Sequence, residues 1–348
     1  MIILQDLPPR WARFCLEIRS FMESLARESI TEKRLLVAFS GGADSLALLR
    51  VLCFLQPGSN FKVFAAHLNH MLRTESHREQ QYARQVCSSL NIPFFSENID
   101  VFSSASATNA GIEEAARTVR YDFLGRTARE LKADYVLTGH QLNDLAEDVL
   151  MRLGRGTGWP GLSGMSGIDH ERKLIRPLIL TSRKKILAFL EAVHEIFVVD
   201  ASNEDRSFLR NRMRHEAVPL LEELTPGFLR SVANLWQMGR IDEEHWKSVL
   251  QLIPRKVVED GVHVSSQALM NLSRATRLRL YKNILDGLGP GQALFQNLVR
   301  LDALWQRGAG NKQVQFPGDK FGLVVNKGVT LGLKQNRQAG ALANYNPG

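Results

Sequence analysis

Two short stretches bring together residue types that chemistry uses. Ser40-Gly41-Gly42-Ala43-Asp44-Ser45 sets two adjacent glycines among two hydroxyls and a carboxylate. Adjacent glycines let a backbone turn tightly and bring its N–H groups up to a ligand with no side chain between them. A helix beginning near Asp44 aims its unpaired N–H groups and positive dipole end at the same point, so the stretch reads as a phosphate cradle. Farther along, His140, Asp144 and Glu147 recur at spacings of four and three residues. On a helix such side chains converge on one face. One carboxylate in a first turn serves the helix dipole, but the three acids of Asp144–Asp148 with a histidine suit Mg²⁺ or an ammonium group.

The elements around these residues place them at one edge of a sheet. Leu35 to Phe39 is an unbroken apolar run, read as a strand buried on both faces, and helical spacing follows Ser45. A helix over Pro9 to Glu28 packs beside that strand, and the helix after the glycines is expected to end near Leu55, with a turn at Pro57-Gly58-Ser59-Asn60. Lys62 to His67, Pro93 to Ile99 and Tyr135 to Gly139 read as further strands, with a helix over Gly111 to Tyr121 between the last two. In a parallel sheet, strand ends face one ligand crevice, which sets His67, Asn69 and His70 beside the cradle and delivers His140 to it.

Two commoner phosphate motifs do not account for the cradle. The Walker string is absent, and the single Gly-x-Gly-x-x-Gly match, Gly156 to Gly161, follows a helical pattern and contains proline. That segment reads as a loop, with Arg152 and Arg155 available to face phosphate and Trp159 to stack. Ser202 to His215 packs in Arg206, Arg210, Arg212 and Arg214; Arg206, Arg210 and Arg214 form one cationic ridge if the stretch is helical.

Composition sets wider bounds. With 348 residues and 44% hydrophobic content, the chain can bury a sizeable core and is expected to form two units. Apolar stretches fall short of a membrane span and Met1 to Arg10 lacks a secretory pattern, so no membrane partner is expected. Three separated cysteines, Cys15, Cys53 and Cys87, make no disulfide framework, and a cytoplasmic location is the default expectation. A net charge of +8 suits a polyanion such as RNA, although charge alone is weak support.

The expected architecture is α/β: a doubly wound, mainly parallel sheet over residues 1–218, a helical linker over 219–253, and a smaller α+β domain over 254–334. In that last domain, Val257-Val258 and Val262-His263-Val264 read as a hairpin, two helices follow up to Arg307, and Gln313 to Leu333 alternates like short strands. Arg274, Arg277, Arg279 and Lys282 supply it with basic residues, and residues 335–348 read as a disordered tail.

Ser40 to Ser45 resembles the PP-loop of the ATP pyrophosphatases, which split ATP into AMP and pyrophosphate. Further matches follow in order: His67-Leu68-Asn69-His70 through Arg73, Glu114-Ala115-Ala116-Arg117 with Arg120-Tyr121, and His140 to Glu147. Arg155-Gly156-Thr157-Gly158, Arg176-Pro177-Leu178, and Asp200 to Asp205 with Arg210-Asn211 and Arg214 complete the series. Together these resemble the tRNA(Ile)-lysidine synthase family over about the first 215 residues, far more specifically than any one motif.

The resemblance implies ATP-dependent ligation of L-lysine to C2 of the wobble cytidine of tRNA(Ile) with a CAU anticodon, through an adenylated tRNA. It implies ATP held by Ser40, Gly41, Gly42, Ala43, Asp44, Ser45, His67 and Asn69, and Mg²⁺ held near Asp44. Asp44, His140, Asp144 and Glu147 become the catalytic candidates, with the two later acids assigned to lysine or metal. Arg117, Arg120, Arg155, Arg176, Asp205, Arg210, Asn211 and Arg214 become the candidates for substrate binding, and a homodimer is compatible with the family. Gln141, Asn143, Leu145 and Asp148 stand where the family pattern has His, Asp, Gln and Thr. A related tRNA thiolase needs catalytic cysteines at sensible positions, and a non-catalytic RNA binder needs no pyrophosphate pocket.

Overall fold

The computed structural model describes residues 3–71, 76–100, 112–198 and 208–334. The chain divides into two compact units, Met1–Gln237 and Met238–Gly348. In the first, α1 (Pro9–Ala26) precedes β1 (Arg34–Ala38), whose Leu35, Leu36 and Val37 are fully buried. Then come α2 (Ala43–Ser59), β2 (Lys62–Asn69), α3 (Ser76–Ser89), β3 (Phe94–Asn98), α4 (Ile112–Glu130) and β4 (Tyr135–Thr138). After them follow α5 (Leu142–Gly154), the short β5 (Ile168–Asp169) and β6 (Leu174–Ile175), and α6 (Arg183–Ala192). The unit continues with α7 (Leu209–Arg212), a π-helical turn at Met213–Ala217 and α8 (Val218–Leu224); the division between units falls within α9 (Phe228–Gln251).

The sheet runs in the order β3-β2-β1-β4-β6-β5. All its pairings are parallel except β5 with β6. Alternation along the strands builds three layers. Leu35, Val37, Leu137 and Ile175 face a core made with α1, α2, α3 and α6, while Leu36, Val136 and Leu174 face Phe123 and Leu124 of α4. Strand order reverses between β1 and β4, so the crevice beyond their carboxyl ends is the place where such a sheet binds ligands. The PP-loop follows β1 and His140 follows β4.

One local expectation needs correcting. α2 does not stop near Leu55 but runs through Pro57 to Ser59, where Asn60 adopts the left-handed conformation and its N–H caps Gln56. A proline in the last turn removes one hydrogen bond, and a good left-handed cap directly after it lets the helix finish its turn.

The second unit holds a five-stranded antiparallel sheet. β7 (Lys256–Val258) and β8 (Gly261–Ser265) form the expected hairpin, and β9 (Lys312–Phe316), β10 (Lys320–Val325) and β11 (Gly328–Leu333) complete the order β7-β8-β11-β10-β9. Three helices lie between the hairpin and the last strands, where two were expected: α10 (Ser266–Met270), α11 (Arg274–Gly287) and α12 (Phe295–Gln306). The extra one is a single short turn opened by Ser265, whose hydroxyl accepts from Ala268 N–H, too brief to leave a helical periodicity in the sequence. Arg277 is not a surface cation. It is buried against Asp302, with Nε to Oδ1 at 2.6 Å and Nη2 to Oδ2 at 3.1 Å.

Candidate active site

The PP-loop is shaped by two backbone approaches. Gly41 sits at φ +87°, and a Cβ there would meet the Tyr82 ring at 3.3 Å. Gly139, at the end of β4, lies against the first turn of α2 so closely that a Cβ would come within 2.9 Å of Asp44 C and Ser45 N. Within the loop, Ser45 Oγ donates to Gly42 O at 3.0 Å and accepts from Ser40 N–H at 3.2 Å. The Ser40 and Ser45 hydroxyls lie 3.1 Å apart, and Ser40 Oγ accepts from Gly42 N–H at 3.3 Å. Each hydroxyl therefore holds the loop's shape now and has to exchange a bond if a phosphate enters. Ala43 opens α2 with its methyl in the core.

Asp44 lies in the first turn of α2, where the dipole favours an anion. Its Oδ2 accepts from Arg183 Nη1 at 3.2 Å, while its Oδ1 is buried with no hydrogen-bond partner. Burial pushes the Asp44 carboxyl up to about 6, and nearby Asp144 adds to this while Arg183 and Arg214 work against it. A buried carboxylate oxygen with no hydrogen-bond donor is one that a cation can use.

Gln141 caps α5, its Oε1 accepting from Asn143 N–H at 2.6 Å, while Asp144 reaches back to Gln141 N–H at 3.0 Å. Of the four departures from the family pattern, Gln141 thus keeps a structural role. Asn143 accepts from Arg183 N–H at 3.1 Å, Asp148 pairs with Arg152 at 2.7 Å, and Leu145 packs in the core. Arg152, expected to face phosphate, is spent on that pair and on Gly161 O.

The expected acid face and the expected cationic ridge meet. Arg210 donates to Glu147 Oε2 at 2.9 Å and to Asp144 Oδ1 at 3.2 Å; Arg214 donates to Glu147 Oε1 at 2.8 Å and to Asp144 Oδ1 at 2.9 Å. The π-helical turn at Met213–Ala217 lies where Arg214 reaches the acids. Burial works to raise the Asp144 carboxyl, but Arg210, His140, Arg214 and the Gln141 N–H outweigh it and hold it below the usual range. His140 Nδ1 lies 2.8 Å from Thr138 Oγ1. Burial pushes that imidazole down to about 3; Asp144 opposes this and Arg176, Arg210 and Arg117 reinforce it, so the ring is neutral at physiological pH.

At the end of β2, His67 Nδ1 lies 2.9 Å from Phe39 O, and burial lowers its pKa. Asn69 Oδ1 accepts from Met71 N–H, and His70 Nε2 lies 3.4 Å from Arg120 Nη2. The Arg117 guanidinium stacks over Tyr121 at 4.9 Å. Arg176 is buried and donates to Ser166 O at 2.7 Å. Arg155 is exposed at the end of α5, and Asn211 is half-buried between the two acid-binding arginines in sequence. Asp205, with Arg73, Arg206 and the rest of the 200–207 motif, lies outside the described residues.

Gly139, Arg183, Thr138 and Tyr82 escaped the sequence reading. For Arg183 a signal existed: Arg183-Lys184-Lys185 fills the first turn of α6 with cations, against the helix dipole.

Residues 15–221 match the PP-loop domain family. A tRNA(Ile)-lysidine synthase from Nitratidesulfovibrio vulgaris is 39% identical over 316 residues, covering 85% of this chain and 91% of that protein. One from Thermosipho africanus is 39% identical over 227 residues, covering 64% of this chain and 53% of that protein. Among solved structures, a U34-tRNA thiolase from Methanococcus maripaludis aligns with a TM-score of 0.52 at 19% identity, covering 65% of this chain and 78% of that one, a likeness of fold. The phosphate-shaped loop at the switch point, the acids beside it and identity along most of a relative's length agree, and the chain belongs to the tRNA(Ile)-lysidine synthase family of PP-loop enzymes.

Proposed function

We propose that this protein ligates L-lysine to C2 of the wobble cytidine in tRNA(Ile) bearing a CAU anticodon, at the expense of ATP. The observation that carries the reading is the convergence of the PP-loop with Asp44, His140, Asp144 and Glu147 at one sheet edge. In the first step the cytidine C2 oxygen bonds to the α-phosphorus and the bond to pyrophosphate breaks. In the second the lysine side-chain amine bonds to C2, the C2–O bond breaks, AMP leaves and the nitrogen loses a proton.

The chain's own groups suit each step. The N–H groups of Gly41 and Gly42, the start of α2 and the Ser40 and Ser45 hydroxyls hold the departing pyrophosphate. His67 and Asn69 stand at the neighbouring strand end, where the rest of the nucleotide lies. The buried, unpartnered Asp44 Oδ1 fits a divalent cation, so Asp44 is the residue that would hold Mg²⁺. When bound, that ion offsets charge building on the phosphates. Neutral His140, fixed by Thr138, stands beside Asp144 as a hydrogen-bonding group that orients the attacking amine. Asp144 and Glu147 already bind cationic nitrogen in the form of two guanidiniums, the preference that recognition of a lysine ammonium requires. Arg210 and Arg214 then share or yield oxygens, and with Arg117, Arg120 and Arg176 they give the crevice the positive field that a tRNA needs, while Arg155 and Asn211 are further candidates for tRNA contact.

Thiolase chemistry suits this chain less well. Burial pushes the Cys15 and Cys87 thiols up to about 12 and the Cys53 thiol up to about 11, far from the thiolate that sulfur transfer uses. Among the described residues no helix is long and apolar enough to cross a membrane, and a cytoplasmic location fits a tRNA substrate. Pyrophosphate release from ATP tests the reading: it should require tRNA(Ile) with a CAU anticodon and proceed for one turnover without lysine. Release that ignores the tRNA would overturn it.

A further inference from the structure

We propose that Arg183 is a phosphate-binding residue that waits on Asp44: it neutralises the carboxylate in the empty site and transfers its guanidinium to the nucleotide's phosphates when they arrive. This inference rests on the ATP reading given above.

The helix that Arg183 begins gains nothing from a cation at that position. Arg183 begins α6 together with Lys184 and Lys185, where the helix dipole disfavours cations. Lys185 has a structural occupation, reaching Glu17 and lying over the Phe14 ring. Arg183 instead turns to the PP-loop. Its backbone N–H is held by Asn143 Oδ1 at 3.1 Å and its Nη1 by Asp44 Oδ2 at 3.2 Å. The start of α6 is thereby fixed to the start of α5, at the mouth of the crevice.

The pair it forms is built to be exchanged. The Arg183 side chain is 47% exposed, so its own release costs little desolvation, and the half-buried Asp44 it leaves calls for a replacement cation. Asp44 offers a second, buried oxygen to a cation, and a cation there would displace the guanidinium by taking over its charge. Freed at the first turn of α2, which the PP-loop leads into, the guanidinium fork matches phosphate oxygens in a way an ammonium does not. Arg210 and Arg214 differ from it in that each bridges both Asp144 and Glu147 rather than holding one acid of the PP-loop.

The test titrates α,β-methylene ATP with Mg²⁺ into the full-length wild type, Arg183→Lys and Arg183→Gln, with Mn²⁺ binding without nucleotide followed by electron paramagnetic resonance. Charge-assisted contacts are worth enough that Arg183→Gln should bind the analogue roughly 10–100-fold more weakly, with Arg183→Lys in between. Mn²⁺ alone should bind Arg183→Gln more tightly than wild type, because its competitor at Asp44 is gone. Thermal melting checks the fold, and Arg183→Lys decides the matter should Arg183→Gln melt early. Wild-type binding with both variants within about twofold of it would overturn the inference alone. A wild type that fails to bind the analogue would bring down the ATP reading as well.

Discussion

Glu147, with 1% of its side chain exposed, accepts a 2.8 Å hydrogen bond from Arg214 Nε, and Arg210 occupies its other oxygen. Both candidate lysine-binding acids are therefore also structural. Removing one partner of a buried ion pair leaves a charge unsatisfied, at a cost of roughly 3–5 kcal/mol. Partial solvent access of the two arginines places Glu147→Ala near the lower end, about 3 kcal/mol. Glu147→Gln keeps an acceptor and should cost less than half as much, while both variants lose turnover by orders of magnitude. Urea unfolding alongside lysine incorporation separates the two effects.

Gly139→Ala should damage the site without touching a reactive group. The added methyl would meet Asp44 C and Ser45 N at 2.9 Å, and backbone cannot yield as a side chain tip does. Overpacking of this kind costs about 1–3 kcal/mol, and the displaced first turn of α2 should weaken binding of a non-hydrolysable ATP analogue about tenfold or more. Urea midpoints and analogue titration measure the two losses.

Asp44 makes the empty protein less stable as pH rises. Its carboxyl is pushed up to about 6 against an ordinary value of 3.8, so between those values the folded chain holds a proton that the unfolded chain has lost. Stability contributed by this group falls through that window and is level above it. Asp44→Asn should therefore be more stable than wild type at pH 8, by roughly 1–3 kcal/mol, with the gap closing toward pH 4. Denaturant curves across pH give the answer, and the same variant should be inactive.

The doubly wound sheet was legible because β1 and β4 are continuous apolar runs and the PP-loop has a spacing with a mechanical reason. The acids were legible too, since His140, Asp144 and Glu147 share a helix face. Their partners were not. Arg210 and Arg214 lie more than sixty residues away and read as a surface ridge, because nothing local to a sequence says which face a distant segment meets. Gly139 was hidden for a related reason: its need for no side chain comes from α2, an element nearly a hundred residues earlier. Arg277 misled because a buried arginine and an exposed one look alike until Asp302 is placed beside it.

That last pair gives a test in the second unit. Arg277→Ala should cost about 3–5 kcal/mol by leaving the fully buried Asp302 with only the more distant Arg274 Nε, at 3.8 Å. Replacing both, as Arg277→Met with Asp302→Leu, should recover most of that loss. Chemical denaturation of the single and double variants measures it. If Arg277 acted on tRNA instead, the double variant would regain no tRNA affinity.

Transfer of labelled lysine into nucleic acid tests the central claim most directly. Incubated with ATP, Mg²⁺, radiolabelled L-lysine and tRNA(Ile) carrying a CAU anticodon, the protein should place label in the tRNA at the wobble cytidine, with one AMP and one pyrophosphate formed for each lysine. A tRNA that stays unlabelled while ATP is consumed, or that takes up sulfur from a donor in lysine's place, would contradict the account.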